Sequence, residues 1–526
     1  MTDERIDVPG PAGGSSRPGG IGRTRRLLQG WSANLVQMAL GLSQQLLLIP
    51  AFLHVWSGDM LAAWLAIYAA GSLVVVADAG LQLRAINRFL AFKACADCDG
   101  RTASFYSALL RIYLALVAVL GVLLCAAVVL APPSTVLGFQ SAPTFDAAML
   151  VMILGMLLTV PANLVSGLYR VHGRYGRTVW LQNAALLIGQ IAQLAALAWF
   201  GSLLAVATAF VSMQLLFAVL LAAFDAPRLF PFLRRAGKPP LASPSLRWSL
   251  GQFSRAVPFA VANATELALV NVPVLLVSAL VTNRVAVAQW GLTRVIASLV
   301  RGLCLQVTLP LAAELGHDHA VGDKDRLRRL YAHGSVFVTG LACLIVAGLL
   351  PFWPDFFALW THGSIPYDAP LTVTLLLGSA AVAPSLLALV FANYSNRGDL
   401  LIRTKGLQLV VFLALAFALI PRLGPLGAAL AVVASDILIQ FGLLALMVMR
   451  QTLHHPFRHI ALLLLMGVGI LASGWLVGQA VTALVPGSGL VHFVVQCAIW
   501  LAVMACAISP LLRARWRQRL LSSIPC

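Results

Sequence analysis

The sequence predicts an all-α polytopic membrane protein, and three observations support this fold class. Mean hydropathy is +0.90, only 10% of the 526 residues are charged, and apolar runs near 20 residues recur from residue 29 to residue 512. A soluble domain carries roughly 25% charged residues, whereas about 20 apolar residues in a helix cross the roughly 30 Å of bilayer hydrocarbon. The runs are continuously apolar rather than alternating, which excludes a transmembrane β-barrel.

Division of the apolar runs gives about 14 transmembrane helices. The least defined are the short run 333–350 and the boundary between 178–199 and 202–224. The predicted spans are 29–53, 60–82, 105–130, 146–170, 178–199, 202–224, 253–280, 284–311, 333–350, 370–394, 402–420, 426–449, 458–482 and 489–511.

Basic residues cluster in every second loop, which predicts the orientation of the chain. These clusters include Arg170, Arg177, Arg228, Lys405 and Arg450. The loops in between are nearly bare of them, with only Arg284 and Arg422. Cytoplasmic loops of membrane proteins carry an excess of Lys and Arg, so both termini are predicted to be cytoplasmic and the number of spans to be even. The formal net charge of +18 follows this loop pattern and does not indicate a nucleic-acid partner.

The domain boundaries follow from the spans and the linkers between them. We predict a disordered cytoplasmic tail, two lobes of six spans joined by a basic cytoplasmic linker, a C-terminal helix pair and a basic cytoplasmic tail. These segments are 1–27 (tail), 28–225 (first lobe, spans 1–6), 226–250 (linker), 251–450 (second lobe, spans 7–12), 457–512 (spans 13 and 14) and 513–526 (tail).

The two lobes repeat each other weakly. GWSANLV at 30–36 resembles QFSRAVP at 252–258, an offset of 222, and the segments that begin at Pro161 and Pro384 match at an offset of 223. An even number of spans in each lobe gives both lobes the same orientation. This predicts a parallel repeat about an axis normal to the membrane, with a central cavity between the lobes.

Polar residues in the spans are costly in a membrane, and in helical phase they form stripes. Such stripes either line a cavity or hold neighbouring helices together for about 1 kcal/mol or less per residue. The residues predicted to line the cavity are Asn34, Gln37, Gln44, Asn183, Gln190, Asn263 and Ser298.

Two arginines, Arg294 and Arg301, lie in the eighth span within QWGLTRVIASLVRGL. A buried arginine costs about 2.5–3.5 kcal/mol to insert near a helix centre. Two interpretations stay open for Arg294: an ion pair with Glu266 of the preceding span, or a contact to an anionic substrate. Because one pair cannot neutralise both arginines, and guanidinium groups bind phosphate in a bidentate manner, we predict that Arg294 and Arg301 bind a diphosphate.

Three acidic residues in the spans are candidates for coupling or gating. Asp78, Glu266 and Asp436 are positioned to bind H⁺ or Na⁺ and so to couple a gradient or the membrane potential to movement. For Asp78, a gating ion pair with Arg84 or Arg88 is an equal alternative. No metal site or other cofactor is predicted.

Several function classes are excluded by what the sequence does not contain. The outer loops are short, so there is no room for an outer-face enzyme domain, and we predict that the protein is not an enzyme. No G-x-x-x-x-G-K-[ST] motif is present, so ATP does not drive it directly. Cys95 and Cys98 have C-x-x-C spacing, but without a second pair or a nearby His they are interpreted as two free thiols.

Two segments resemble a known group. ADAGLQLRAINRF at 77–89, and the segment from AVAQWGLTRVIASLVRGLCLQV through the loop that ends at Tyr331, resemble polysaccharide flippases of the multidrug/oligosaccharidyl-lipid/polysaccharide exporter superfamily. The resemblance covers roughly residues 28–450, and the 14-span plan extends it to 512.

The resemblance implies alternating access in the bacterial inner membrane, with an undecaprenyl-diphosphate-linked O-antigen or exopolysaccharide unit as cargo. It implies a role in lipopolysaccharide or exopolysaccharide biosynthesis, beside a polysaccharide polymerase and glycosyltransferases. Spans 13 and 14 are expected to form a side groove for the lipid tail. Two alternatives remain open: a multidrug or small-molecule cation-coupled antiporter of the same superfamily, and a non-transport scaffold of a glycan assembly complex.

Overall fold

The fold is an all-helical bundle of two six-span lobes with an additional C-terminal helix pair. The computed structural model describes residues 20–78, 80–94, 101–172, 174–231, 233, 246–395, 398–487 and 489–512. Some side chains inside these ranges, including that of Asn34, lie outside the described part. So do Cys95 and Cys98, most of the predicted first tail, the middle of the linker and the tail 513–526.

The first lobe contains helices α1 to α8. They are α1 (Gly20–Val55), α2 (Gly58–Leu73, extended by the 3₁₀ turn Val74–Asp78), α3 (Leu81–Ala94), α4 (Arg101–Leu130), the short α5 (Pro133–Val136), α6 (Phe145–Val171), α7 (Tyr175–Phe200) and α8 (Leu203–Val219). After α8 the helix continues through a π-helical segment, Leu220–Asp225, to Ala226–Leu229. Helix α1 begins at Gly20, so the helical part starts earlier than the predicted boundary at residue 28.

The second lobe and the C-terminal pair contain α9 to α16. They are α9 (Leu246–Leu280), α10 (Arg284–Val321), α11 (Lys324–Trp360), α12 (Ala369–Tyr394), α13 (Gly398–Leu423), α14 (Pro425–Ser435, continued by the π-helical segment Asp436–Ala445 and Leu446–Thr452), α15 (Pro456–Leu484) and α16 (Leu490–Leu512). The short predicted span 333–350 is thus part of a 37-residue helix.

Thirteen helices in the described part are long and apolar enough to cross a membrane. The remaining predicted span is α10, which is 38 residues long but carries Arg284, Arg294 and Arg301. The predicted break between the fifth and sixth spans is confirmed. Gly201 adopts φ +60 at the end of α7, a left-handed conformation that glycine tolerates, and the Ser202 hydroxyl caps α8 by accepting from the N–H of Ala205.

Equivalent helices pack together in the two lobes. In the first lobe α1 packs on α7, α7 on α8, and α6 on α2, α4 and α8. In the second lobe α9 packs on α13, α13 on α14, and α12 on α10, α11 and α14. The lobes meet where α2 packs on α9 and α10, with Gly291 of α10 so close that an added Cβ would lie 2.6 Å from Leu65 Cδ1.

The buried apolar residues show where the lobes join and where they part. One cluster draws residues from both lobes, including Leu48, Phe210, Trp290 and Phe412, at the ends predicted to face outward. Toward the predicted cytoplasmic ends there are two clusters. One lies in the first lobe with Ala256 inserted from α9, and the other comes from the second lobe and the C-terminal pair. The lobes therefore share a core at one face of the membrane and have separate cores at the other.

Candidate functional site

A cavity in the second lobe contains most of the charged residues singled out in the sequence. It encloses about 670 Å³ including its open mouth and lies between α9, α10, α12 and α14. Its polar lining side chains are Glu266, Trp290, Arg294, Ser298, Ser379, Arg301 and Asp436, and the other lining residues are apolar or glycine. This cavity lies within the second lobe, whereas the sequence predicts a central cavity between the two lobes.

Helix α10 places three of these residues. Arg294, Ser298 and Arg301 follow the spacing i, i+4, i+7, which aligns them on one face of a helix, and all three line the cavity. The helix is fixed at its start by Asn283, whose side-chain oxygen accepts from the N–H of Val285. The polar stripe predicted for this helix therefore forms one wall of the cavity.

Arg301 is held by two carboxylates from different helices. Its Nη2 lies 2.8 Å from Glu266 Oε2 of α9, and its Nη1 lies 3.2 Å from Asp436 Oδ2 at the start of the π-helical segment after α14. The Arg301 side chain is 24% exposed and that of Asp436 only 8%. Arg301 is thus already paired in this structure, rather than open to a diphosphate.

A second cation, Lys405 of α13, completes the network and was missed in the sequence. We placed it among the basic residues of a cytoplasmic loop, but its side chain is 1% exposed. Its ammonium donates to three oxygens: Glu266 Oε1 at 2.5 Å, Gln408 Oε1 at 2.8 Å and Gln440 Oε1 at 2.6 Å. Gln408 Nε2 also donates to Asp436 Oδ1 at 2.5 Å. Two cations and two anions are thereby joined in one electrically neutral cluster.

The internal repeat held a signal for Lys405. Residue 405 lies 222 positions after Asn183, the same offset that relates GWSANLV to QFSRAVP. Asn183 is in the polar stripe of α7, so its equivalent in α13 was a candidate for the same helix face. Lys405 lies near the end of an apolar run, so its charge alone predicts a position in a loop.

Arg294 differs from Arg301 in having no carboxylate partner among the described contacts. Its Nη1 donates to the backbone carbonyl of Val270. The ion pair between Glu266 and Arg294, one of the two alternatives left open by the sequence, is not formed, because Glu266 is occupied by Arg301 and Lys405. With the neutral cluster beside it, Arg294 leaves the cavity with a net charge of +1.

The first lobe contains a second cavity at an equivalent position. It encloses about 1110 Å³ including its opening and is more polar, with Gln37, Gln82, Asn163 and Gln214 in its lining. Met156, Thr159, Val160 and Asn163 of α6 line it, and the residues 223 positions later in α12 line the second-lobe cavity: Ser379, Val382, Ala383 and Leu386. Among the predicted lining residues, Gln37 is in this cavity.

Arg170 contributes a cation to the first-lobe cavity that we assigned to a loop. It lines the cavity from the end of α6, and its guanidinium carbon lies 5.2 Å from the ring centroid of Tyr175. That distance allows a cation–π contact. The first lobe thus also offers a positive charge beside a set of amides.

Asn183 and Gln190 of α7 hold helices together rather than line a cavity. Asn183 Nδ2 donates to the carbonyl of Ala33 at 2.8 Å, and Gln190 Nε2 donates to the carbonyl of Leu40 at 2.8 Å, both on α1. Both side chains are buried. These two residues, which the sequence predicts to line the cavity, therefore hold α7 against α1, the alternative role of such polar stripes.

Asp78 is buried at the break between α2 and α3. It accepts hydrogen bonds from the Tyr113 hydroxyl and, at 3.3 Å, from the N–H of Gln82. The predicted ion pair with Arg84 or Arg88 is not among these described contacts, although both arginines lie on α3 beside it and are partly buried. Asp78 caps the N-terminus of α3, where a negative charge is favourable.

The other predicted lining residues take scattered positions. Gln44 of α1 is partly buried, Asn263 of α9 is exposed, and neither lines the two cavities described above. In the part of the chain that the structure describes, no three His, Cys, Asp or Glu side chains are grouped in a way that could hold a metal ion.

Comparison with known proteins connects this architecture to a class of transporters. No protein-family model matches the sequence, and no curated protein matches it either. Among solved structures, lipid II flippase MurJ in an inward closed conformation aligns with a TM-score of 0.69 at 12% identity, covering 92% of this chain and 99% of that one. An inward-facing multidrug resistance MATE family transporter of the MOP superfamily aligns with a TM-score of 0.60 at 14% identity, covering 82% and 95%.

A third structure, a MATE transporter of Vibrio cholerae, aligns with a TM-score of 0.53 at 15% identity, covering 82% of this chain and 97% of that one. All three are named as transporters or flippases rather than as enzymes. The identities are low, so the likeness concerns the fold alone. The chain therefore has the same fold as these three transporters and flippases.

Proposed function

We propose that the protein flips an undecaprenyl-diphosphate-linked oligosaccharide, an O-antigen or exopolysaccharide unit, across the bacterial inner membrane by alternating access. The observation that carries this proposal is Arg294. It is a guanidinium at a cavity wall with a single carbonyl partner among its described contacts, beside a cluster whose charges cancel. A cavity with a net charge of +1 favours an anionic cargo over a cationic one.

The diphosphate would first bind Arg294, because Arg301 is occupied. A guanidinium can donate two parallel hydrogen bonds to a phosphate. The carbonyl of Val270 accepts only one bond from Arg294, so the other N–H donors of Arg294 are available to a phosphate. Arg301 lies seven residues further on the same helix face, roughly 10 Å along the axis. It becomes available only when Glu266 or Asp436 releases it.

Release of Arg301 would couple transport to an ion. A proton or Na⁺ that neutralises Glu266 or Asp436 weakens the hold of that carboxylate on Arg301, which then turns toward the diphosphate. Two facts support this order of events: Arg301 bridges α9 and the segment after α14, and Glu266 is 33% exposed and so can be reached. The fold likeness to a flippase of lipid II, a lipid-linked molecule, supports the class of cargo.

The first test is a deletion strain complemented with variants of Arg294. Arg294→Ala should abolish export of surface polysaccharide and cause the lipid-linked precursor to accumulate, at normal membrane levels of the protein. Arg294→Lys should restore part of the export because it keeps the charge but not the fork of donors. In a binding assay with undecaprenyl diphosphate, Arg294→Ala should bind about 10- to 100-fold more weakly, as expected for a lost hydrogen bond to a charged group.

Arg450→Ala serves as the matched control. Arg450 lies in the last turn of the helix that follows α14, at its predicted cytoplasmic end, and contacts the ring of Phe457; it lines neither cavity. Its variant should export normally. Full export by Arg294→Ala would show that Arg294 does not bind the cargo, and the proposal would be wrong on this point.

A second candidate, a cation-coupled antiporter for small molecules, is favoured by the two carboxylates in the cavity wall and by the fold likeness to MATE transporters. Under this alternative, Glu266 and Asp436 would bind the cation once Arg301 and Lys405 move away. A deletion strain that becomes sensitive to cationic drugs while its surface polysaccharide is unchanged would select the antiporter and reject the flippase.

A further inference from the structure

A groove on the outer surface of the first lobe is separate from both cavities. It lies between α7 and α8 and encloses about 800 Å³ including its open side. Its walls are two apolar stripes at helical spacing, Leu181 to Ile188 on α7 and Met213 to Phe224 on α8 and its π-helical continuation. Phe217 lines both this groove and the first-lobe cavity, so the α7–α8 wall separates the two.

The groove has the dimensions and surface of a site for a hydrocarbon chain. Its lining includes two small residues of α7, Ala184 and Ala185, and exposed apolar residues of α8 and its continuation, among them Leu216 and Phe224. From residue 213 to 224 the helix rises roughly 16 Å, about half the thickness of the bilayer hydrocarbon. The groove therefore spans about one leaflet.

One end of the groove is charged. There Asp225 accepts from Arg177 at 2.5 and 3.0 Å and from the Tyr169 hydroxyl at 2.6 Å, so the carboxylate is fully engaged. Arg228 lies at the same end, is exposed, and has no hydrogen bond among the described contacts. These two arginines and one aspartate leave a net charge of +1 at the mouth of an apolar groove.

The π-helical segment Leu220–Asp225 forms this end of the groove. Such segments are uncommon within helices and occur frequently at functional sites. Leu220, Leu221, Phe224 and Asp225, all in this segment, line the groove, so it carries the apolar wall directly into the charged end. The apolar and charged parts thus form one continuous surface.

We infer that this groove binds one anionic phospholipid of the cytoplasmic leaflet, with an acyl chain between α7 and α8 and its phosphate at Arg228. Arg177 and Arg228 belong to the basic loops that the charge pattern places on the cytoplasmic side, where anionic lipids give a negative surface potential. A net charge of +1 matches a head group with a single negative charge. A phospholipid, rather than the proposed cargo, is the occupant because the α7–α8 wall separates the groove from the polar cavity that a glycan would need.

Lipid binding to the purified full-length protein tests this inference. Native mass spectrometry with added phosphatidylglycerol or phosphatidylcholine of equal chain length should show one tightly held phosphatidylglycerol per chain. Arg228→Gln should weaken phosphatidylglycerol binding about fivefold, the usual effect of one basic residue at an anionic membrane surface, and leave phosphatidylcholine unchanged. Ala184→Phe, which adds a phenyl ring to the lining of the groove, should weaken the binding of both lipids.

Two matched controls accompany these variants. Arg450→Gln removes another cytoplasmic arginine, and Ala222→Phe enlarges an exposed residue of the π-helical segment that is not part of the groove lining. Both should bind phosphatidylglycerol as the unchanged protein does. Equal binding of the two lipids, wild-type binding by Arg228→Gln, or displacement of phosphatidylglycerol by a lower concentration of undecaprenyl phosphate would overturn the inference. None of these results depends on transport activity. The lipid-binding inference and the proposed function are therefore tested independently.

Discussion

Lys405 shows how a charge can be kept within a membrane-spanning helix. An unpaired ammonium in a low-dielectric environment costs several kcal/mol, so a lysine that is 1% exposed must have its charge and its donors satisfied. The three oxygens of Glu266, Gln408 and Gln440 meet the three donors of the ammonium. They come from α9, α13 and the segment after α14, so this one side chain ties three elements together.

Removal of Lys405 alone should therefore destabilise the second lobe. We expect Lys405→Met to lower the free energy of unfolding by about 3 kcal/mol, because Glu266 loses a partner and the buried Gln408 oxygen loses its donor, while the Gln440 oxygen keeps only its 3.3 Å bond from Arg301. Thermal melting in lipid nanodiscs would measure the loss.

The double variant Lys405→Met with Glu266→Gln separates charge from shape. It removes one cation and one anion, so the cluster becomes neutral again and part of the lost stability should return. If the double variant is no more stable than Lys405→Met, the ion pair is not what holds the cluster together.

Helix α15 shows how the C-terminal pair is attached to the second lobe. Its Gly474 and Gly478, four residues apart, face α11: an added Cβ at Gly474 would lie 2.6 Å from Ala347 Cβ, and one at Gly478 would overlap the ring of Pro351. Small residues at this spacing let two membrane helices approach closely. Trp500 of α16 also donates to the carbonyl of Gly474 at 2.9 Å, so both C-terminal helices depend on this contact.

We expect Gly478→Leu to push α15 away from α11 and to destabilise the protein by about 1–3 kcal/mol, the usual cost of overpacking. Gly469→Leu on the same helix is the control, because an added Cβ there meets nothing within 4 Å. Melting temperatures of the two variants would be compared with that of the unchanged protein. Equal melting of the two variants would show that the close approach is not required.

At the scale of the whole molecule, the two lobes are joined mainly at one face. Apart from the shared apolar core there, Arg284 Nη1 donates to the carbonyl of Leu137 in the first lobe at 2.9 Å, and its guanidinium carbon lies 5.3 Å from the ring centroid of Phe139. Trp360 Nε1 donates to the carbonyl of Leu46 at 2.8 Å. Arg284, one of two arginines in the otherwise bare loops, thus acts as a clamp between lobes.

Removal of this clamp should favour opening at the predicted outer face. In a protein with spin labels at positions 141 and 364, one in each lobe, we expect the double variant Arg284→Ala with Trp360→Phe to shift the distance distribution toward longer values. Trp360→Phe keeps an aromatic side chain and removes the indole N–H donor together with part of the ring volume. Arg422→Ala, which changes the other arginine of the bare loops, should leave the distribution unchanged. A distribution that the double variant does not alter would show that these bonds do not hold the lobes closed.

The class of protein, most of the helices and the internal repeat can be predicted from the order of the amino acids alone. Hydropathy and loop charge are local properties, so the apolar runs, the break at Gly201 and the likeness of the two lobes could be read without coordinates. The face of α10 that carries Arg294, Ser298 and Arg301 was also predictable, because helical phase depends only on spacing within one element.

Which polar side chains contact each other depends on how the helices pack, and this cannot be predicted from one helix at a time. Whether Glu266 pairs with Arg294 or Arg301 depends on the height and rotation of α9 against α10, and the part played by Lys405 depends on where α13 packs. The same holds for Asn183 and Gln190, whose amides face α1 rather than open space. The partner of each polar side chain depends on contacts between helices that are far apart in the sequence. The spacing of residues within a single helix holds no information about those contacts.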